Sequence, residues 1–162
     1  LTPPVIVSAT QGVRQAMLYK QDHLRQSELF AELDERSLDV LAEYAENRHF
    51  VKGHLIVLEG ATEVENLGLY VIISGGVEIT RRMSDGSQFQ LAVLGPGDCF
   101  GELSVIDGQP RSASAVAVED TECLMLTAID FREFLQISPK VAHNLLRVIV
   151  GRLRQTDEMI VD

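Results

Sequence analysis

Cysteine is scarce in this chain: Cys99 and Cys123 are the only two among 162 residues, and neither stands at a metal-ligand spacing. Two thiols cannot build a disulfide framework. Two separate thiols in a reducing, cytoplasmic setting are expected, with a single bridge as the other arrangement. Basic charge is also short. Fourteen Lys and Arg face twenty-four Asp and Glu, a formal charge of −10 with a pI near 4.8. Such a surface repels a phosphate backbone, so this chain alone is not expected to bind nucleic acid. Long apolar runs are missing too: Leu69–Ile73 is typical, far below the ~20 residues of a membrane-spanning helix. The chain opens Leu-Thr-Pro-Pro, without an initiator Met or a basic-then-apolar secretory pattern. An excised piece of a longer protein and a processed chain both fit that beginning.

What is present describes an ordinary globular protein: 46% hydrophobic, 23% charged, twelve Gly and five Pro. The length suits one domain of ~100–200 residues, able to bury about 70% of its unfolded surface in a core of its own. Hydrophobic period divides the chain into three regions. Residues 11–46 read as helical, through Met17, Leu18 and Leu24 and then Leu38, Leu41, Tyr44 and Ala45. Asp34 is the expected N-cap of the second stretch, and Leu29, Phe30 and Leu33 are expected to pack the connection. From His49 to Thr127 short alternating runs are broken by turn residues. The strands expected there are His49–Val51, Leu55–Leu58, Leu69–Ser74, Val77–Met83, Phe89–Leu94, Ser114–Val118 and Cys123–Leu126. Asp85-Gly86 between two such runs predicts a hairpin. About eight short strands suggest a jelly roll or small barrel. Beyond Thr127 the helical period returns, over Ala128–Gln136 and then from Ser138-Pro139 onward. Leu146, Ile149, Leu153, Thr156 and Ile160 step by three, four, three and four, a heptad-like seam. Packing on the chain's own sheet and pairing with a second copy both explain it.

The chemistry concentrates in Phe100-Gly-Glu-Leu-Ser-Val-Ile-Asp-Gly-Gln-Pro-Arg-Ser-Ala-Ser-Ala-Val116. Gly97 and Gly101 have no Cβ and let backbone approach a ligand. A helical turn over Glu102–Ile106 would aim free N–H groups at one place, an anion site. Arg111 adds a planar, permanently charged fork for phosphate oxygens, and Ser112 adds a hydroxyl. Glu102 beside an anion site makes sense if it accepts a hydrogen bond from a sugar hydroxyl on the same ligand. The competing interpretation is a surface turn with a solvated Glu–Arg pair, which contributes little.

The segment closely resembles the phosphate-binding cassette of the cyclic nucleotide-binding domain family: Phe-Gly-Glu-Leu, a short helix, then Pro-Arg, a small residue, Ala and a strand. That family includes bacterial catabolite activators, regulatory subunits of protein kinase A, and cyclic-nucleotide-gated channels. The resemblance covers residues 27–162 and implies a mainly β fold with flanking helices. Its centre would be an eight-stranded antiparallel, jelly-roll-like β-roll, with N-terminal helices and a long C-terminal helix. It implies a lead-in and helix over 1–26, a nucleotide-binding roll over 27–137 with its cassette at 100–116, and a lid or dimerisation helix over 138–162. Gly101, Glu102 and Leu103 would hold ribose and phosphate, with Glu102 on the 2′-hydroxyl. Arg111 would pair the cyclic phosphate, helped by Ser112 and the backbone of Ala113. Ile79, Leu91 and Leu94 would line the base pocket, although core packing explains them equally. On the last helix, Thr156 matches a base-contacting Thr, while Asp157 departs from the usual hydroxyl residue. The ligand implied is cAMP, with cGMP as the alternative, and the expected assembly is a homodimer through the C-terminal helix.

Two other classes compete with this one. A β-barrel metalloenzyme needs clustered His ligands, whereas His23, His49, His54 and His143 are scattered. No His beside Cys99 marks it as a nucleophile, and a small buried thiol is its default role. No catalytic residue, metal or cofactor is therefore expected. A ligand-independent relative, or one sensing haem or redox state through dimerisation, tends to lose the cassette Glu and Arg that stand here.

Overall fold

Polar capping residues set the helix boundaries. A computed structural model of the chain describes residues 9–62 and 67–161, with side chains described for 11–62 and 67–155. Helix α1 is Ala9–Arg25 and α2 is Glu35–Tyr44. Asp34 caps α2 as expected, its carboxylate accepting from the Ser37 N–H at 2.8 Å. Between the helices Leu29 and Phe30 are completely buried. Among the described residues eight strands follow: β1 Glu46–Phe50, β2 Leu55–Val57, β3 Gly68–Ser74, β4 Val77–Arg82, β5 Gln88–Leu94, β6 Cys99–Phe100, β7 Ser114–Ala117 and β8 Thr121–Thr127. The short helix α3, Glu102–Asp107, interrupts them, and α4 Ala128–Ile137 and α5 Pro139–Val161 close the fold. Thr127 caps α4, its hydroxyl oxygen accepting from Asp130 N–H at 3.2 Å.

The strands form two antiparallel four-stranded sheets, ordered β1-β8-β3-β6 and β2-β7-β4-β5. They face one another without closing into a barrel. The central strands of the first sheet, β3 and β8, are buried on both faces. Leu69, Val71 and Ile73 alternate with Tyr70 and Ile72, and Leu124 and Leu126 alternate with Cys123 and Met125. One set packs with Phe131, Phe134, Leu24 and Leu38 in a core beneath the helices. The other packs with Val57, Val77 and Phe100 between the sheets. This explains why β3 reads as a continuous apolar run, since no face of it meets water.

Three local expectations change. β1 begins at Glu46 rather than His49, because this edge strand is mostly exposed and its polar residues hide the alternation. β6 is an element the sequence does not announce: at two residues it is too short to show a period. The seam on α5 also shifts. Leu146 and Leu153 are 62% and 59% exposed and Val150 is exposed beside them, whereas Ile149 packs against the chain's own helical core. The side chains of Thr156 and Ile160 lie outside the described residues.

The two cysteines are both free and buried. Cys99 pairs with Val71 and Cys123 with Ile72 across β3, so they point to opposite faces of the sheet and cannot bridge. Among the described residues no helix is long and apolar enough to cross a membrane.

Candidate functional site

The cassette begins where β6 runs out. Gly101 follows Phe100 with φ +90°, a conformation that side chains oppose. A Cβ there would stand 2.6 Å from the Gly68 carbonyl oxygen and 2.8 Å from Nη1 of Arg111. Glycine is therefore required by the arginine packed beside it. Gly97 behaves differently from its expectation. It also has positive φ, but its open side faces the carbonyl oxygen of Gln26, which would lie 2.9 Å from a Cβ at this position. It lines no part of the cavity described below.

Arg111 is only 7% exposed. Its Nη1 donates to the Gly101 carbonyl at 3.2 Å and its Nη2 to the Gly68 carbonyl at 3.3 Å. Its backbone is pinned on both sides: Arg111 N–H donates to Ala61 O at 3.0 Å, and Gly60 N–H donates to Arg111 O at 2.8 Å. A charge this deep costs several kcal/mol of desolvation without compensation. Those contacts offset part of the cost, and an anion in the adjoining space would offset more.

Glu102 opens α3 and is 3% exposed. Its partner is Arg152 of α5, whose Nη1 donates to Oε1 of Glu102 while its Nη2 donates to the Cys99 carbonyl. The solvated-turn interpretation fails here, because the carboxylate is buried and its partner comes from a helix fifty positions away. Burial pulls the Arg152 guanidinium down, but the charge and hydrogen bond of Glu102, with Cys99 and Asp98 adding to them, together hold the group above its ordinary range. Burial, with Glu102 adding to it, pushes the Cys99 thiol up to about 12. That thiol is protonated and inert, as its default role requires.

These groups surround a cavity of about 780 Å³, within the range of pockets that enclose small ligands. The cassette contributes Phe100–Ser104 and Arg111–Ala113, and α5 contributes Arg152 and Gln155. The second sheet supplies an apolar wall of Val57, Ile79, Phe89, Leu91, Ala92, Leu94 and Ala115, with Ser114 at its edge. Strand β5 reaches this wall through a bulge. Ile79 pairs with Ala92 and Thr80 with Gln90, so Leu91 is one residue extra. A bulge turns two successive side chains to one face, and Phe89, Leu91, Ala92 and Leu94 all reach the cavity. Leu91 is 37% exposed, so core packing does not account for it.

The structure thus brings Gly101, Glu102, Leu103, Arg111, Ser112, Ala113, Ile79, Leu91 and Leu94 around one space. The side chains of Thr156 and Asp157 lie outside the described residues. Arg152, Gln155, Phe89 and Ala92 join the site without having been expected there. Arg152 is legible in hindsight: it stands four positions before Thr156, on the same helical face. Phe89 stands two before Leu91 on the same strand. Ala92 is hidden, because strict alternation turns it away.

Residues 47–138 match the cyclic nucleotide-binding domain family. The chain is 40% identical over 136 residues to the cyclic AMP receptor protein of Thermus thermophilus, covering 83% of this chain and 61% of that protein. The crystal structure of the Thermus thermophilus catabolite activator protein superposes with a TM-score of 0.74, covering 83% of this chain and 62% of that one. A CRP-like cAMP-activated global transcriptional regulator of Mycobacterium tuberculosis is 32% identical over 139 residues, 86% of this chain and 61% of the regulator. The regulatory domain of Toxoplasma gondii PKA, crystallised with cAMP, superposes with a TM-score of 0.66 at 26% identity, over 80% of this chain and 46% of that one. The chain spans about three fifths of the length of the curated relatives it matches.

Proposed function

Because this chain belongs to the cyclic nucleotide-binding domain family, we propose that its cavity receives a 3′,5′-cyclic nucleotide, cAMP in preference to cGMP. The observation that carries this reading is the placement of a buried cation and a buried carboxylate, Arg111 and Glu102, on one cavity with an apolar wall. In this reading Arg111 pairs the exocyclic phosphate oxygens with Ser112 and the backbone of Ala113. Gly101, Glu102 and Leu103 hold ribose and phosphate. Arg152 takes one side of the Glu102 carboxylate, and a carboxylate has about four acceptor positions, so a ribose hydroxyl can be accepted without displacing the arginine. Ile79, Leu91 and Leu94 receive the base, and Phe89 joins them.

The preference for cAMP rests on the likeness to proteins whose names specify that ligand. On α5, Thr156 can donate and accept towards adenine without excluding guanine, whereas an ionised Asp157 only accepts and suits guanine's N1–H and amino group. The two residues lie about 100° apart on the helix, so both need not face one pocket.

The module is read as a sensor, without a catalytic step or cofactor. The roll over 27–137 binds ligand, and the helix over 138–162 carries the consequence outward, since a ligand touching both has the differential affinity that a population shift requires. A second copy of the chain is the partner proposed for the exposed stripe Leu146, Val150 and Leu153. A cytoplasmic setting belongs to the same reading and is supported by two buried, unbridged thiols. Titration calorimetry tests it with cAMP, cGMP and linear AMP on wild type and Arg111→Ala. Truncating the arginine is expected to cost about 2–5 kcal/mol of binding, and unchanged affinity would overturn the assignment. Selective loss of cGMP binding in Asp157→Ala would reverse the choice of base.

A further inference from the structure

Helix α3 has six residues, and isolated helices below about 12–15 residues are marginal in water. It depends on what holds its ends. At the first turn Arg152 of α5 grips Glu102. At the last turn Arg132 of α4 donates from Nε to the carbonyl of Val105. Its Nη2 lies 3.9 Å from where a Cβ on Gly108 would stand. The final carbonyls of a helix lack internal partners and carry its negative end, so a guanidinium there satisfies an acceptor and meets a favourable field. The preceding acceptor is already engaged, because Gly108 N–H donates to Ser104 O at 2.9 Å. Val105 itself is completely buried, which fixes its carbonyl in direction.

We propose that Arg132 is a positioning residue for the nucleotide site, a role that rests on the function proposed above. Arg132 lines no part of the cavity. It holds α3 from behind, and α3 places Glu102, Leu103 and Ser104 on the cavity wall. Arg132 and Arg152 sit on consecutive helices joined at Ser138. The α4–α5 unit therefore grips the cassette helix at both ends, and a shift of that unit is felt by the ligand-holding turn.

The test combines calorimetry with cAMP and amide hydrogen exchange on the full chain, for wild type, Arg132→Gln and Arg132→Lys. Loss of one charge-assisted hydrogen bond predicts about tenfold weaker binding in Arg132→Gln. Exchange over 103–108 should quicken in the ligand-free protein, and Arg132→Lys should restore part of both effects. A lowered melting temperature with unchanged affinity would overturn the proposal, and so would weaker binding with unaltered exchange over 103–108. Should Arg132→Gln fail to fold, the same two readouts on Arg132→Lys decide the matter, wild-type values in both counting against the role. If wild type bound neither cyclic nucleotide, the functional reading would fall separately. Exchange in the ligand-free variants would then still support the tether by quickening, or overturn it by staying unchanged.

Discussion

Arg152 and Glu102 meet across fifty residues of chain, and the arginine touches the Cys99 carbonyl with its other terminal nitrogen. One side chain of α5 thereby fixes both the end of β6 and the first residue of α3. The pair is asymmetric in exposure, with 36% of the arginine side chain reaching solvent against 4% of the glutamate. Removing the arginine therefore harms more than removing the glutamate, because it strands a buried charge.

Arg152→Ala is expected to lose about 1–3 kcal/mol of stability, less than for a fully enclosed pair because solvent screens the arginine. Glu102→Gln should lose less. Urea denaturation of both single variants and the double variant checks the coupling, and strictly additive losses would refute it.

Gly101→Ala meets two penalties, the positive φ and contact with a backbone oxygen at 2.6 Å. About 1–3 kcal/mol of strain is expected, together with displacement of the Arg111 fork and loss of ligand affinity. Gly53→Ala is the matched control: it has φ +87° but nothing within 4 Å of the added carbon. It should lose some stability and keep its affinity.

Cys99 and Cys123 are both pushed up to about 12, chiefly by burial, while an unfolded thiol titrates near about 8.5. Between those values the unfolded chain has released protons that the folded chain keeps. Stability contributed by the buried thiols is thus complete below about 8.5 and falls as pH rises towards 12. Replacing both cysteines by Ala should flatten the alkaline side of the stability curve. In native wild type at pH 8, alkylation should await unfolding; rapid modification of both thiols would contradict their burial.

Leu146→Asp with Leu153→Asp should leave the melting transition close to wild type, since both side chains are exposed, and should abolish self-association in sedimentation experiments. Wild type sedimenting as a monomer at tens of micromolar, with and without cAMP, would count against a second copy as the partner of that stripe.

The legible parts of the chain are those in which one residue answers to one local cause. Asp34 can be read as a cap, Asp85-Gly86 as a hairpin and the cassette as a stretch that gathers on one cavity, because each depends on neighbours a few positions away. The two-sided burial of β3 can be read from its unbroken apolar run only once helices and a second sheet are known to cover it. Arg152 escapes because its partner is distant in sequence, although its spacing to Thr156 points to the same helical face. Gly97 misleads because positive φ and ligand approach make the same demand on sequence, and only the position of Gln26 O separates them. Ala92 escapes because a bulge is invisible to a period of two.

That bulge behaves like a frameshift in the side-chain pattern of the β4–β5 hairpin. Before it, odd-numbered residues face the cavity; after it, even-numbered ones do, which leaves Val93 outside and 59% exposed. Deleting Leu91 would mend the ladder and bring Gln90 next to Ala92 in the chain. With the segment from Ala92 onward held in place, Gln90 would stay opposite Thr80 on the outer face and Phe89 opposite Arg81 on the cavity face, so strict alternation would return and only the Leu91 side chain would leave the wall. A hairpin with more regular pairing would then leave a gap where the Leu91 side chain had completed the apolar wall. In this stretch of chain, regularity of the sheet and fitness of the pocket are opposed, and the extra residue marks the side on which the sequence has settled.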